Sequence, residues 1–140
     1  MNFWDSSAII PLIVHEADTA LRTRQLREDP TLTVWYGSVV EIESSLARKR
    51  RENSMNASDL KSLRASLRNL SMHWDEVQPS NRLRDRAVRC LHTHPLRAAD
   101  AFQLAAALLA CGDYPQNHTF LTGDLRLREA AEREGFSVDD

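Results

Sequence analysis

The chain has 140 residues, of which 42% are hydrophobic and 27% charged, and its formal net charge is −2 at neutral pH. That length suits one domain built around one core, and the composition excludes disordered and fibrous classes. The near-neutral balance excludes bulk attraction to a polyanion, so any nucleic-acid contact must come from local patches.

In chain order, Asn2 to Asp5 ("NFWD") reads as a buried strand anchored in the core by Phe3 and Trp4, after which Ser6 and Ser7 open a helix through Leu12. A polar helix is expected from Asp18 to Asp29, with Leu21 and Leu26 turned inward. "TLTVWYGS" follows as a second strand, rich in β-branched and aromatic residues. Ser38 then caps a helix, "VVEIESSLARKRR", with Val39, Ile42, Leu46 and, nearby, Val40 at helical spacing. "ENSMNAS" is a polar loop, and "DLKSLRASLRNL" carries Leu60, Leu63, Leu67 and Leu70 as a narrow apolar stripe. "MHWDEVQP" reads as a third strand ending at Pro79, and Ser80 caps a helix to about Leu91. "PLRAADAFQLAAALLAC" reads as a long helix opened by Pro95 and stopped by Gly112. "HTFLTGD" is a fourth strand, "LRLREAAERE" a helix closed by Gly135, and "FSV" a short last strand.

Strands separated by helices predict an α/β fold with a parallel sheet, because parallel neighbours need a crossover and helices supply it. In such open sheets ligands sit beyond the carboxyl ends of the strands, where both Asp5 and Asp124 fall. Several other chemistries find no support. Cys90 and Cys111 lack metal or disulfide spacing and read as two buried, reduced thiols of a cytoplasmic protein. No run of about 18 apolar residues is present, so no membrane anchor is expected. None of the five histidines has ligand spacing, and four glycines build no phosphate loop, which argues against a nucleotide cofactor. Ser6 and Ser7 lie in no G-x-S-x-G elbow. Apart from Lys49 and Lys61 the basic residues are arginines, and "ARKRR" and "RLRDRAVR" read either as solvated helix faces or as tracks for an RNA backbone.

Four acids fit a bland surface poorly. Asp100 sits in an alanine- and leucine-rich helix, where an unpaired buried carboxylate costs several kcal/mol, so it pairs with Arg97 one turn away, lies on an exposed edge of the helix, or serves chemistry. Asp5 and Asp124 each stand where an acid can cap the following helix. Glu41 lies among apolar neighbours, whereas Glu43 points away toward solvent. If Asp5, Glu41, Asp100 and Asp124 converge, each pair about 4 Å apart repels by roughly 4 kcal/mol at an effective dielectric near 20. Such a cluster needs protons or a cation. All-oxygen ligation suits Mg²⁺ or Mn²⁺, and ions held this way serve phosphodiester hydrolysis. The capping of the first helix then belongs to Ser6.

Four segments in order, "FWDSSAI", "SVVEIESSLARKRR", "HPLRAADAFQLAAAL" and "FLTGDLRLREAAEREGF", resemble the PIN-domain ribonucleases of the VapC-type toxin branch of toxin-antitoxin modules. The resemblance runs nearly end to end and implies one PIN domain over 1–140, a three-layer α/β/α fold with a central, mostly parallel sheet of four or five strands. It implies that Asp5, Glu41, Asp100 and Asp124 bind one or two Mg²⁺ or Mn²⁺ ions, that the Ser6 hydroxyl helps order the site, and that Thr122 orients Asp124. Gln103 receives no catalytic part. The implied activity is cleavage of structured RNA, tRNA or rRNA, which inhibits translation, and the implied partners are a cognate antitoxin and a second copy of the chain. Two rivals are a PIN-like module that binds RNA or protein without catalysis and a receiver-type signalling domain. The second needs an acidic pair after the first strand and a lysine after the last, and the chain has neither.

Overall fold

Alternation along one short strand sets the layering. Successive side chains of a strand point to opposite faces. In β1 (Asn2–Trp4), fully buried Phe3 therefore enters one hydrophobic cluster with Leu83, Cys90, Leu104, Phe120 and Leu127. Trp4 enters another with Ile9, Val34, Ile42, Leu46, Leu67 and Leu121. The computed structural model describes residues 1–138, so the last two positions of the expected 1–140 domain lie outside the described residues. After β1 come α1 (Ser6–Ile13), α2 (Thr19–Glu28), β2 (Thr33–Trp35), α3 (Ser38–Arg51), α4 (Ala57–Ser71) and β3 (Asp75–Val77). The chain continues through α5 (Asn81–Thr93), α6 (Ala98–Ala110), β4 (Thr119–Leu121) and α7 (Leu125–Glu134).

The four strands form one parallel sheet in the order β3-β2-β1-β4. Helices α5, α6 and α7 cover the Phe3 face, and α1, α3 and α4 cover the Trp4 face, giving three layers. Phe3 and Phe120 are register partners across β1 and β4, and their rings stack with centroids 5.3 Å apart. Among the described residues no helix is long and apolar enough to cross a membrane.

Several expectations are corrected by tertiary context. In α2, Leu21 and Leu26 are only half-buried while Arg22 and Gln25 are buried, because this helix packs at the margin of the layer against α1. Val40 is 69% exposed, and the buried stripe of α3 is Ile42 and Leu46. Gly37 rather than Ser38 is the N-cap of α3, with no side-chain cap bond. Pro95 ends α5 instead of opening α6: it forces His94 into extended backbone (φ −130°, ψ 151°), and α6 begins only at Ala98. "FSV" makes a single parallel bridge, Ser137 to Thr119, rather than a strand. Cys90 is buried, but Cys111 is only half-buried. Ser80 and Gly135 do act as read: the Ser80 hydroxyl accepts from the Leu83 amide at 3.0 Å, and Gly135 closes α7 in the left-handed region at φ 109°.

Candidate active site

The strand order makes one position special. The chain lays down β1, β2 and β3 in one direction and then returns to add β4 on the other side of β1. The connections leaving β1 and β4 therefore diverge to opposite faces, which opens a crevice beyond the two carboxyl ends. Asp5 follows β1 directly, and Asp124 follows β4 after Thr122 and Gly123. Glu41 comes from the first turn of α3 and Asp100 from the first turn of α6.

Asp5 is 5% exposed and is itself the N-cap of α1, so the capping assigned to Ser6 is corrected. Its Oδ2 accepts from the Ser7 amide at 3.3 Å, from the Thr122 hydroxyl at 2.8 Å and from the Ser7 hydroxyl. All three of these donors fall on Oδ2, and the Ser6 backbone amide also favours the ionised carboxyl. Burial pushes the Asp5 carboxyl above the ordinary range, and the bonds from Ser7 and Thr122 oppose it. Thr122 also accepts the Asp124 backbone amide at 3.0 Å, so its hydroxyl orients the Asp5 carboxylate and only the backbone of Asp124.

Glu41 is half-buried and is likewise held by one oxygen. Its Oε2 accepts from the Ser6 hydroxyl at 2.9 Å and from the Gln103 amide at 2.5 Å. Burial raises its pKa, Ser6 and Gln103 lower it, and the charges of Asp5 and Asp100 raise it further. Asp100 is half-buried, and its pKa is raised by burial, then by Asp124 and Asp5. The Arg97 backbone and guanidinium lower it, in last place among these causes, so the pairing with Arg97 left open by the sequence does not dominate. Asp124 is exposed and caps α7, its Oδ1 accepting from the Leu127 amide at 2.9 Å.

The charges of Asp5 and Asp100 act on Glu41, and those of Asp124 and Asp5 act on Asp100, which links the four acids electrostatically beyond the carboxyl ends of β1 and β4. Arg97, Asp100, Asp124, Leu125 and Arg126 line a groove there of about 470 Å³. Among the described residues no three Asp, Glu, His or Cys side chains converge as a ready cage for a metal ion. The donor set still suits a hard divalent cation. It is all oxygen, and Asp5 and Glu41 are held by neutral hydroxyls and amides that leave the mutual repulsion of the acids in place. A Mg²⁺-like ion keeps several waters and needs few direct carboxylates.

Three contributors escape a reading of the sequence. Ser7 links Asp5, Thr122 (3.1 Å) and the Gly123 amide (2.8 Å) through its hydroxyl. Arg22 donates to the Thr122 carbonyl at 2.9 Å and to Gln25 at 3.0 Å, fixing the end of β4. Gln103, fully buried, reaches Ser6, Ser38 and Glu41. Only Gln103 left a signal, a polar residue inside an Ala/Leu helix, which is the same signal that marked Asp100.

No protein-family model matches the sequence, and no curated protein matches it significantly. Solved structures do. The crystal structure of FitAcB from Neisseria gonorrhoeae superposes with a TM-score of 0.69 at 15% identity, covering 100% of this chain and 97% of that one. PAE2754 from Pyrobaculum aerophilum gives 0.70 at 17% identity, covering 98% of this chain and 87% of that one. VapC20 of Mycobacterium tuberculosis, a sarcin-ricin loop cleaving toxin, gives 0.64 at 21% identity, covering 98% and 97%. With its four-stranded parallel sheet between two helical layers, the chain has the PIN-like three-layer fold that the sequence resemblance implied.

Proposed function

We propose that this chain is a divalent-metal-dependent endoribonuclease, the toxin of a toxin-antitoxin pair, which cleaves structured RNA such as tRNA or rRNA and thereby inhibits translation. One observation carries the proposal. At the β1–β4 crevice Asp5 and Glu41 are each hydrogen-bonded through one carboxylate oxygen, and their charges and those of Asp100 and Asp124 form a linked set, Asp5 and Asp100 acting on Glu41 and Asp124 and Asp5 acting on Asp100. A fold shared with a sarcin-ricin loop cleaving toxin supports RNA as the substrate class.

Bound Mg²⁺ or Mn²⁺ supplies Lewis-acid polarisation of the phosphodiester and makes a water easier to deprotonate. Asp5, Glu41, Asp100 and Asp124 are the groups that would hold it. Ser7 and Thr122 fix the Asp5 carboxylate, and Ser6 fixes Glu41. Arg97 and Arg126, beside Asp100 and Asp124, can receive the flanking phosphates of the RNA, offsetting the repulsion between two anionic partners. Single-stranded loops of a folded RNA expose such phosphates best. The reading includes a cytoplasmic antitoxin partner, for which a basic side chain entering the acid crevice is the natural inhibitor, and a homodimer. Asp5→Ala and Asp100→Asn are each expected to abolish Mn²⁺-dependent cleavage of total RNA, with circular dichroism showing an intact fold. Undiminished cleavage by both variants would sink the assignment.

A further inference from the structure

Gln103 lies one turn along α6 from Asp100 and is fully buried among alanines and leucines. An apolar side chain there would leave no polar atom of its own to satisfy. Instead the Gln103 Nε2 lies 3.0 Å from Ser6 Oγ, 3.0 Å from Ser38 Oγ and 2.5 Å from Glu41 Oε2. An amide nitrogen carries two protons, so three acceptors share them. Ser6 in turn donates its own proton to the same Glu41 oxygen at 2.9 Å. The opposite end of the amide, Oε1, is buried and has no partner among the described residues. A buried amide with its donors oversubscribed and its acceptor unused is oriented by the carboxylate it faces, not by its own packing.

We infer that Gln103 is a positioning residue for the acid site: together with Ser6 it pins Glu41 by Oε2 and so keeps Oε1 of that carboxylate open for the cation. The inference rests on the metal-dependent reading above. A glutamate without this clamp samples several rotamers, and a cation would have to order it on binding. Donors that orient a metal-binding carboxylate change metal affinity when removed, even though they never touch the ion.

Calorimetric titration of the metal-free protein with Mn²⁺ alone tests this without relying on catalysis. Gln103→Leu is expected to weaken Mn²⁺ binding by about tenfold to a hundredfold. Ser38→Ala, which touches Gln103 but not Glu41, is expected to weaken it much less. In a Glu41→Ala background the Gln103→Leu loss is expected to disappear, because effects that pass through one side chain are not additive. Gln103→Met, an unbranched alternative, replaces the leucine variant if circular dichroism shows a disturbed fold. Unchanged Mn²⁺ affinity in the folded variant, or a loss of equal size in the Glu41→Ala background, overturns the positioning role and leaves the nuclease reading standing. Failure of the wild-type chain to bind Mn²⁺ overturns the nuclease reading, and this inference with it.

Discussion

Asp5 answers two demands with one carboxylate. Its Oδ2 caps the helix through the Ser7 amide and takes the Ser7 and Thr122 hydroxyls as well. Burial dominates the balance and raises its pKa, as it does for Glu41 and Asp100. The sign for stability follows. Between the unfolded and the raised folded value the native state binds more protons than the unfolded chain, so stability falls as pH rises through that window. The contribution is full below the unfolded value and gone above the folded one. Metal-free protein is therefore expected to melt at a higher temperature near about pH 5 than near about pH 7.5, and Asp5→Asn is expected to flatten that slope. Mn²⁺ should reverse the trend by favouring the ionised acids at the higher pH. Scanning calorimetry at both pH values decides it; a slope that Asp5→Asn does not change would mean that burial of this carboxyl is not what the folded state pays for.

Helix ends carry much of the site, and this separates what the sequence made legible from what it did not. "FWDSS" and "TGDLRL" announce acids where strands turn into helices, since a strand pattern ends and a capping residue follows. Both positions turn out to be caps, and Asp124 keeps α7 started with one oxygen. Asp124→Ala is accordingly expected to cost about 1 kcal/mol of stability along with cleavage, whereas Asp124→Asn, which can still cap, should keep the stability and lose the cleavage. Thermal melts beside an RNA assay separate the two; equal melting temperatures for the two variants would argue that the cap contributes nothing. Links across long sequence separations were not legible. Ser7 meets Thr122 over 115 residues and Gln103 meets Ser6 over 97, and no local pattern encodes such pairs. Nor did periodicity disclose that α2 buries Arg22 and Gln25, because a helix at the edge of a layer can hide a long polar side chain that finds carbonyl partners. His94 before Pro95 shows a third case: a proline suits the first turn of a helix, yet here its restriction on the preceding residue ends the helix before it.

Across the whole molecule, a net charge of −2 and an acid crevice would repel RNA, so the proposed RNA cleavage requires local attraction. Arg97 and Arg126 flank Asp100 and Asp124 in the groove and are placed to supply it. With cleavage silenced by Asp5→Ala, Arg97→Ala and Arg126→Ala are each expected to reduce the salt dependence of single-stranded RNA binding by roughly 0.7 in log–log slope. A filter-binding series over salt concentration reads this, and slopes equal to that of the parent would place the RNA elsewhere. The sheet order has a further effect, on when the protein can act. Among the described strands β1 is made before β4, whose Thr122 hydroxyl comes 117 residues after Asp5, and the Asp5 amide bonds the Leu121 carbonyl at 2.9 Å. A ribosome extending this chain therefore carries an Asp5 without its clamp until β4 has emerged and inserted beside β1. On the proposed nuclease reading, a synthesis interrupted before Thr122 leaves a fragment whose Asp5 lacks this clamp, so competence waits for β4 to dock.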